Sequence, residues 1–191
     1  MEQLVIQHAA LVVVDFQEGI LRVPFAPYTA SAVLENGVRL SRRFREVSAP
    51  VVLTRVAWAD NFADALTQQV DQPLPMPPGG LPPDWADLSA DLAVSPGNIV
   101  ITKRQWNAFH GTELDLQLRR RGIKTLVLAG VASNMGVEST ARAAYELGYQ
   151  LIFAEDAISS VSAGMHEFAA HTIFPLLGLV RSTEQIVAAL R

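Results

Sequence analysis

Six short apolar runs recur along the chain, and they constrain the fold more than any other feature of the sequence. Each run holds four to six residues of β-branched or leucine character with little polar alternation, which is typical of strands buried on both faces of a sheet. Segments with helical periodicity separate most of the runs, which indicates βαβ units with right-handed crossovers. The predicted strands cover residues 10–14, 51–56, 99–102, 125–129, 150–154 and 177–180.

These units predict an α/β protein with a three-layer αβα architecture, in which an open six-stranded parallel sheet carries helices on both faces in a Rossmann-like arrangement. With 191 residues, of which 50% are hydrophobic, the chain can bury a substantial core, and we expect a single domain over residues 1–191. Ser182 and Gln185 have the spacing of a capping box at the start of the last helix. The other predicted helices cover residues 31–47, 112–121 and 137–147.

A long Pro-rich connection, residues 57–97, interrupts this alternation between the second and third strands. It holds six prolines between Pro73 and Pro83, and it contains two short helical patterns around residues 62–69 and 85–92. A connection of this length inside a compact domain is usually functional or part of an interface. Three interpretations stay open: a proline-stiffened surface insertion, a wall over the active site, or an arm that packs on a neighbouring subunit.

The charge balance excludes several classes of partner. The chain has 15 basic and 19 acidic residues, which gives a formal net charge of −4. A mildly acidic chain offers no electrostatic footprint for nucleic acid or for an anionic membrane surface, so we expect neither as a partner. The one basic cluster, residues 119–121, is interpreted as the solvated C-terminal end of a helix.

The absence of cysteine narrows the available chemistry. It rules out disulfides, thiolate zinc sites, iron–sulfur clusters and a cysteine nucleophile. The four histidines do not cluster with acidic residues in a ligand-like spacing, so we expect no metal and no other cofactor. The acidic start of the chain and its short apolar runs fit neither a signal peptide nor a membrane span, and we expect a cytoplasmic protein.

Two polar side chains stand where predicted strands end. Asp15 directly follows the first run, and Lys103 directly follows the third. Ligands of open parallel sheets bind beyond the carboxyl ends of the strands, where a half-buried carboxylate can act as an acid or a base. We therefore expect Asp15 to be an acid–base group and Lys103 to hold it in place. The alternatives are a loop cap for Asp15 and, for Lys103, a side chain extended from the sheet edge.

Further candidates for substrate binding lie beside these positions. Phe16 and Gln17 follow Asp15, and Trp106 with Phe109 follows Lys103; the three aromatic rings could form a wall, although aromatics at such spacing also occur in cores. After the fourth run, a turn of small residues leads into a helix and could direct backbone N–H groups at an anion or a developing oxyanion. The candidates in this turn are Ala132, Ser133, Asn134, Met135 and Gly136.

Several motifs fall at strand ends in a fixed order, in residues 13–17, 102–104, 108–112, 130–140 and 149–157. With these motifs, the chain resembles the isochorismatase-like hydrolase superfamily over nearly its whole length. The resemblance implies a six-stranded parallel sheet flanked by helices, which is the fold that the apolar runs indicate. It also implies a cis peptide bond between Val131 and Ala132, which orients the amides of the turn.

The same resemblance implies an Asp–Lys–Cys triad, in which Asp15 and Lys103 match the first two members and Gly136 stands in the third position. Glycine offers no nucleophile, so covalent amidase or carbamoylase chemistry is disfavoured. Nicotinamidase activity is disfavoured as well, because Asp60 is not part of the metal-binding Asp-x-His motif of those enzymes. Isochorismatases also carry glycine here, and they hydrolyse an enol ether: the aspartate protonates the vinyl group, and water adds to the resulting oxocarbenium ion.

The turn nevertheless departs from that of isochorismatases, whose tyrosine and histidine are replaced here by Ala132 and Asn134, so isochorismate itself is not expected as the substrate. The sequence predicts a metal-independent hydrolase that adds water to a small molecule without a covalent intermediate, with Asp15 as general acid. The alternative is a catalytically inert relative that binds a small metabolite or serves as an assembly module. A homo-oligomer, dimeric or larger, is expected from the resemblance and from the long connection.

Overall fold

The computed structural model describes residues 5–73 and 80–190, and this part of the chain forms the predicted six-stranded parallel sheet. The strands are β1 Ala9–Val14, β2 Val51–Val56, β3 Ile99–Lys103, β4 Thr125–Val131, β5 Gln150–Ser159 and β6 Leu179–Arg181. Their order is β3-β2-β1-β4-β5-β6, with every neighbouring pair parallel. The direction of strand order reverses between β1 and β4, and such a switch point is where open α/β sheets bind their ligands.

Helices cover both faces of the sheet, as the sequence predicts. The α-helices are α1 Glu18–Leu21, α2 Ala30–Glu46, α3 Leu114–Arg120, α4 Glu138–Glu146, α5 Ala163–Phe168, α6 Phe174–Leu177 and α7 Thr183–Ala189. Buried side chains of α2 and α7 pack on one face, while those of α3, α4 and α6 pack on the other. None of the described helices is long and apolar enough to cross a membrane.

The central strand β1 shows why the apolar runs are continuous. Leu11 and Val13 pack in the same cluster as Phe44 of α2, whereas Val12 and Val14 pack in the opposite cluster, which contains α3. All four β1 side chains are buried. Because successive strand residues face opposite layers and both layers are apolar, no polar alternation survives in the sequence.

The predicted helix ends are largely confirmed. Gly122 and Gly148 have φ values of +67° and +85°, the left-handed conformation that commonly follows a helix. Ser182 and Gln185 form the predicted capping box at the start of α7. Helix α3 begins two residues later than predicted, because the Thr112 hydroxyl donates to the carbonyl of Ala108 and accepts from the first turn at Leu114.

The helix predicted around residues 62–69 does not form. Phe62 has a φ of +54°, which a right-handed helix does not allow. Leu66 and Val70 are 67% and 61% exposed, so an amphipathic helix here would have no apolar surface on which to pack. A short helix without tertiary packing is marginal in water, which explains why the periodic pattern was misleading.

The helix predicted around residues 85–92 is also absent, apart from a 3-10 turn at Ala90–Leu92. Its backbone instead docks on the start of α1, just beyond β1: the carbonyl of Trp85 accepts from the Gly19 amide, and Leu88 forms a bridge with Gln17. The described end of the connection therefore covers the carboxyl end of the sheet. Residues 74–79, which include most of the Pro-rich stretch, lie outside the described residues.

Strand β2 has its predicted bounds, β1, β3 and β4 are one or two residues longer than predicted, and β5 and β6 differ most. Strand β5 continues past residue 154 to Ser159, with a register shift in which its four residues 154–157 lie opposite the single residue Ala129 of β4. The last strand was predicted at residues 177–180, but Leu177 ends helix α6 and β6 begins at Leu179. The extension of β5 matters for the site, since it carries polar side chains beyond the edge of the sheet.

Candidate active site

The carboxyl ends of β1 and β3 bring Asp15 and Lys103 together, although 88 residues separate them in the chain. The ammonium Nζ of Lys103 donates to Oδ2 of Asp15 over 2.6 Å, and the exposed fractions of the two side chains are only 1% and 5%. Neither alternative interpretation describes this geometry, because Lys103 does not extend into solvent and Asp15 pairs with a cation across the sheet. The structure thus contains a buried ion pair at the switch point of the sheet.

Neighbouring groups complete the hydrogen bonding of this pair. Oγ1 of Thr54 on β2 donates to Oδ1 of Asp15 over 2.9 Å, and Nζ of Lys103 also donates to the carbonyl of Gln105 over 3.2 Å. Burial raises the pKa of Asp15 above its ordinary value of 3.8, while the charge and hydrogen bond of Lys103 oppose that rise. A raised pKa increases the fraction of Asp15 that is protonated at a given pH, and a general acid must be protonated before it can donate.

The backbone around Asp15 is unusual in two ways. Asp15 has a φ of +56°, a left-handed conformation that is uncommon outside glycine and is tolerated best by Asp and Asn. On the neighbouring strand, Gly130 has a φ of +124°, and a β-carbon there would lie 2.1 Å from the carbonyl oxygen of Val14. Only glycine therefore allows β4 to approach the end of β1 this closely, and strained backbone of this kind clusters at functional sites.

The turn from β4 into α4 places Gly136 beside the ion pair. The Val131–Ala132 peptide bond is cis, which confirms the expectation, and Ser133–Val137 forms a π-helical turn. A β-carbon on Gly136 would lie 3.2 Å from Oδ2 of Asp15. The position at which the resemblance implies a cysteine therefore faces the Asp15 carboxylate, and here it offers no reactive atom.

The backbone amides of this turn are partly used within the turn itself. The N–H groups of Met135 and Val137 both donate to the carbonyl of Ala132, over 3.1 and 3.2 Å. These two amides are consequently occupied within the turn, and binding of an anion by amides of the turn stays a prediction. Ala132, Asn134 and Met135 are half-buried, whereas Ser133 is fully buried.

Phe16 and Gln17 are packed into the scaffold, and their role in substrate binding stays a prediction. Phe16 is fully buried in the layer of α2, and its ring fills the space where a β-carbon of Gly37 would otherwise be. The buried amide of Gln17 accepts from the Val56 N–H over 2.8 Å and donates to the carbonyls of Val56 and Trp85, both over 3.1 Å. Gln17 thus joins β1 to β2 and to the long connection.

The predicted aromatic wall is not formed by the expected residues. Trp106 is 51% exposed, and Phe109 packs against Tyr149 in the layer opposite that of Phe16. The long connection supplies a different aromatic pair, since Trp58 and Trp85 stack with their ring centroids 5.5 Å apart. That pair is anchored near the site, because Nε1 of Trp58 donates to the carbonyl of Arg104, the residue after Lys103.

A buried polar chain behind the turn was missed from the sequence. Oγ of Ser133 lies 2.8 Å from Nδ1 of His166, and Nε2 of His166 lies 3.0 Å from Oε1 of Glu155. The hydroxyl of Tyr28 donates to Oε2 of Glu155 over 2.9 Å. The hydrogen bond from His166, followed by that from Tyr28, holds the pKa of Glu155 below its ordinary value despite burial. The one sequence feature that indicates this chain is Glu155, an acidic residue that directly follows the apolar run of residues 150–154.

The arrangement limits the chemistry that this site can perform. It offers a buried carboxyl group with a raised pKa, a cation 2.6 Å away, and a glycine in the position next to them. Among residues 5–73 and 80–190, no group of three or more His, Asp or Glu side chains is placed to hold a metal ion. These features suit proton transfer better than nucleophilic attack by a side chain.

Comparisons with known proteins agree with the fold. The isochorismatase domain model matches residues 9–185. The uncharacterized isochorismatase family proteins YecD of Escherichia coli O157:H7 and YwoC of Bacillus subtilis strain 168 are 49% and 45% identical over 181 residues, spanning 95% of this chain and 95% and 93% of those proteins. The structure of an isochorismatase family protein from Burkholderia thailandensis superposes with a TM-score of 0.93 at 40% identity, covering 100% of this chain and 99% of that chain. The chain therefore belongs to the isochorismatase family of hydrolases.

Proposed function

We propose that this protein hydrolyses a small enol-ether metabolite by acid–base addition of water, without a covalent enzyme intermediate. One observation carries the proposal: the buried Asp15–Lys103 pair lies beside Gly136, where related hydrolases place a nucleophile. The acid and its cation are present, while the atom needed for an acyl-enzyme is absent.

In the proposed reaction, the Asp15 carboxyl group donates its proton to the terminal carbon of the vinyl group. The carbon that bears the ether oxygen becomes an oxocarbenium ion and takes up a water molecule, whose released proton returns to Asp15. The resulting hemiketal collapses to a carbonyl compound and an alcohol, so atoms and charge balance. Burial raises the pKa of Asp15, so the protonated form with which the cycle starts is easier to reach from the Asp15–Lys103 ion pair.

Lys103 has two tasks in this scheme. Its ammonium group fixes the orientation of Asp15 through the 2.6 Å contact, and its charge stabilises the carboxylate that remains after proton transfer. Both carboxylate oxygens accept a hydrogen bond, Oδ1 from Thr54 and Oδ2 from Lys103; because Oδ2 faces Gly136, it is the oxygen that would deliver the proton. Without a side chain at position 136 the turn lies close to this oxygen, since a β-carbon there would be 3.0 Å from Cγ1 of Val14.

The test is turnover of a panel of small enol ethers, with carbonyl product measured for the native protein and for Asp15→Asn. The asparagine keeps the size of the side chain and accommodates the left-handed backbone, but it cannot donate a carboxyl proton, so we expect turnover to fall by at least about a hundredfold. Asp84→Asn is the matched control, because Asp84 is an exposed aspartate paired with Arg22. Equal turnover of the Asp15→Asn variant and the native protein would contradict the proposal.

A second candidate function is small-molecule binding without catalysis, and the lack of a nucleophile at Gly136 favours it. Under this alternative, no member of the panel is turned over, but one of them raises the melting temperature through mass action. Gly136→Cys distinguishes a complete site from a remodelled one, because amide hydrolysis by the variant would show that only the nucleophile is missing. We further propose that the protein is cytoplasmic and that it forms a homo-oligomer. Sedimentation at several concentrations would test the oligomer.

A further inference from the structure

The polar chain of Ser133, His166 and Glu155 lies outside the chemistry proposed above and has the connectivity of a hydrolytic triad. Serine contacts one ring nitrogen of the histidine at 2.8 Å, and a carboxylate contacts the other at 3.0 Å. Ser133 and His166 are nevertheless buried, with exposed fractions of 0% and 1%. The hydrogen bonds of this chain join the turn to helix α5 and strand β5, which points to a mechanical role.

The donors and acceptors of this chain follow from the charge of Glu155. The pKa of Glu155 lies below its ordinary value of 4.5 because His166 and Tyr28 bind it, so the carboxylate is ionised at neutral pH and only accepts hydrogen bonds. Nε2 of His166 must then carry a proton. If the ring is neutral, Nδ1 accepts from the Ser133 hydroxyl, and every buried polar atom in the chain has a partner.

Ser133 is also the first residue of the π-helical turn that contains Gly136. The bond from His166 therefore ties this turn to helix α5, and Glu155 ties α5 in turn to strand β5. The ring of Tyr28 packs edge-on against that of His166, with the centroids 5.7 Å apart, which fixes the orientation of the imidazole. A shift of Ser133 would consequently move Gly136 relative to the Asp15 carboxylate, 3.2 Å from its β-carbon position.

We propose that His166 is a positioning residue of the active site, which holds the Ser133–Val137 turn in register with Asp15 through its bonds to Ser133 and Glu155. The catalytic meaning of this role rests on the proposed function, but the mechanical role does not. A second tie, the 2.5 Å bond from the Ser160 hydroxyl to Oδ1 of Asn134, is independent of His166. Loss of His166 should therefore loosen the turn without unfolding the protein.

The first experiment measures hydrogen exchange of the Met135 and Val137 amides, which both bind the carbonyl of Ala132 inside the turn. In His166→Ala we expect these amides to exchange about tenfold faster, the effect of one lost buried hydrogen bond on a local opening. Amides of β1 should keep their native rates. His171→Ala, an exposed histidine in the next helical turn, is the matched control and should change neither set. Unchanged turn amides, or equal acceleration of turn and β1 amides, would overturn the proposal.

The second experiment uses the absence of cysteine from the chain. Gly136→Cys introduces a single thiol beside Asp15 and Lys103, and its pKa, read from the pH dependence of thiolate absorbance, reports the position of the turn. Adding His166→Ala should move that pKa towards the ordinary value of about 8.5. His166→Asn, whose amide can take the place of Nδ1 at Ser133, should restore it, whereas His166→Gln should not.

Loss of global stability alone would not change the thiol pKa of the folded protein, so this readout separates positioning from simple support of the fold. An identical thiol pKa with and without His166 would refute the positioning role. Neither experiment measures turnover. The positioning role of His166 can therefore be refuted even if Asp15 proves to be catalytic. It can also be confirmed even if no enol ether is hydrolysed, so the two proposals are tested independently.

Discussion

Removing either member of the buried Asp15–Lys103 pair should destabilise the protein more than removing both. At a separation of 2.6 Å and an effective dielectric constant of about 20, the gross attraction between the two charges is about 6 kcal/mol. Burial of each charge costs several kcal/mol, so the net contribution of the pair is small. A single substitution loses the attraction but leaves the other charge buried, at a cost of about 3–5 kcal/mol.

The perturbation is a double-mutant cycle of Asp15→Asn and Lys103→Met, with unfolding in urea as the assay. Each single variant should lower the urea midpoint by about 2 M, for a slope near 2 kcal/mol per molar. The double variant should be no less stable than either single variant, which makes the coupling free energy about 3–5 kcal/mol. Asparagine can still accept the hydrogen bond from Thr54, so that contact is kept in both variants.

The matched control is the Arg22–Asp84 pair, which is equally short at 2.5 Å but about half exposed. Solvent screens such a pair, so its own cycle should show far weaker coupling that shrinks further in salt. If the effects of Asp15→Asn and Lys103→Met simply add, then the two groups do not share a dry environment. That result would refute the expected coupling free energy, and with it the burial that raises the pKa of Asp15.

Two further predictions concern the surroundings of the site. In Gly19→Ala, a β-carbon would lie 1.9 Å from Cδ1 of Trp85, so we expect a loss of about 1–3 kcal/mol and a red shift of tryptophan fluorescence; Gly164→Ala meets nothing within 4 Å, and an equal effect there would contradict the steric reason. The lowered pKa of Glu155 stabilises the folded state above the ordinary value of 4.5, and this contribution disappears as the pH falls through the lowered folded-state value. Urea midpoints of native protein and Glu155→Gln between pH 3 and 6 should therefore converge on acidification, and parallel curves would exclude this linkage.

The sheet and the Asp15–Lys103 pair were predictable because their causes are local in the sequence. Residues 51–56 were predicted as a strand from their apolar run alone, and the structure has β2 at Val51–Val56. The convergence of Asp15 and Lys103 followed from one topological fact: the carboxyl ends of parallel strands meet at one edge of a sheet. A strand that is buried on both faces is a continuous apolar run, and such a run can be recognised without knowing what the strand packs against.

The features that escaped prediction depend on tertiary structure. The helical pattern of residues 62–69 had a suitable period, but its apolar side chains find no surface to cover. The bond between Ser133 and His166 joins residues 33 positions apart, and it exists only because β5 extends past its apolar run and α5 packs behind the turn. Phe16 and Gln17 likewise carry no mark in the sequence that separates a scaffold role from substrate binding.

The left-handed backbone at Asp15 determines which mutagenesis strategy can be interpreted at this site. Alanine in the left-handed region carries a backbone penalty of about 1–2 kcal/mol, whereas Asn tolerates that region nearly as well as Asp. An alanine scan would therefore combine conformational strain with the loss of the carboxyl group and would overstate the importance of the side chain. Exchange to Asn removes the carboxyl group and keeps the left-handed backbone. A loss of activity in that variant can therefore be assigned to the carboxyl group.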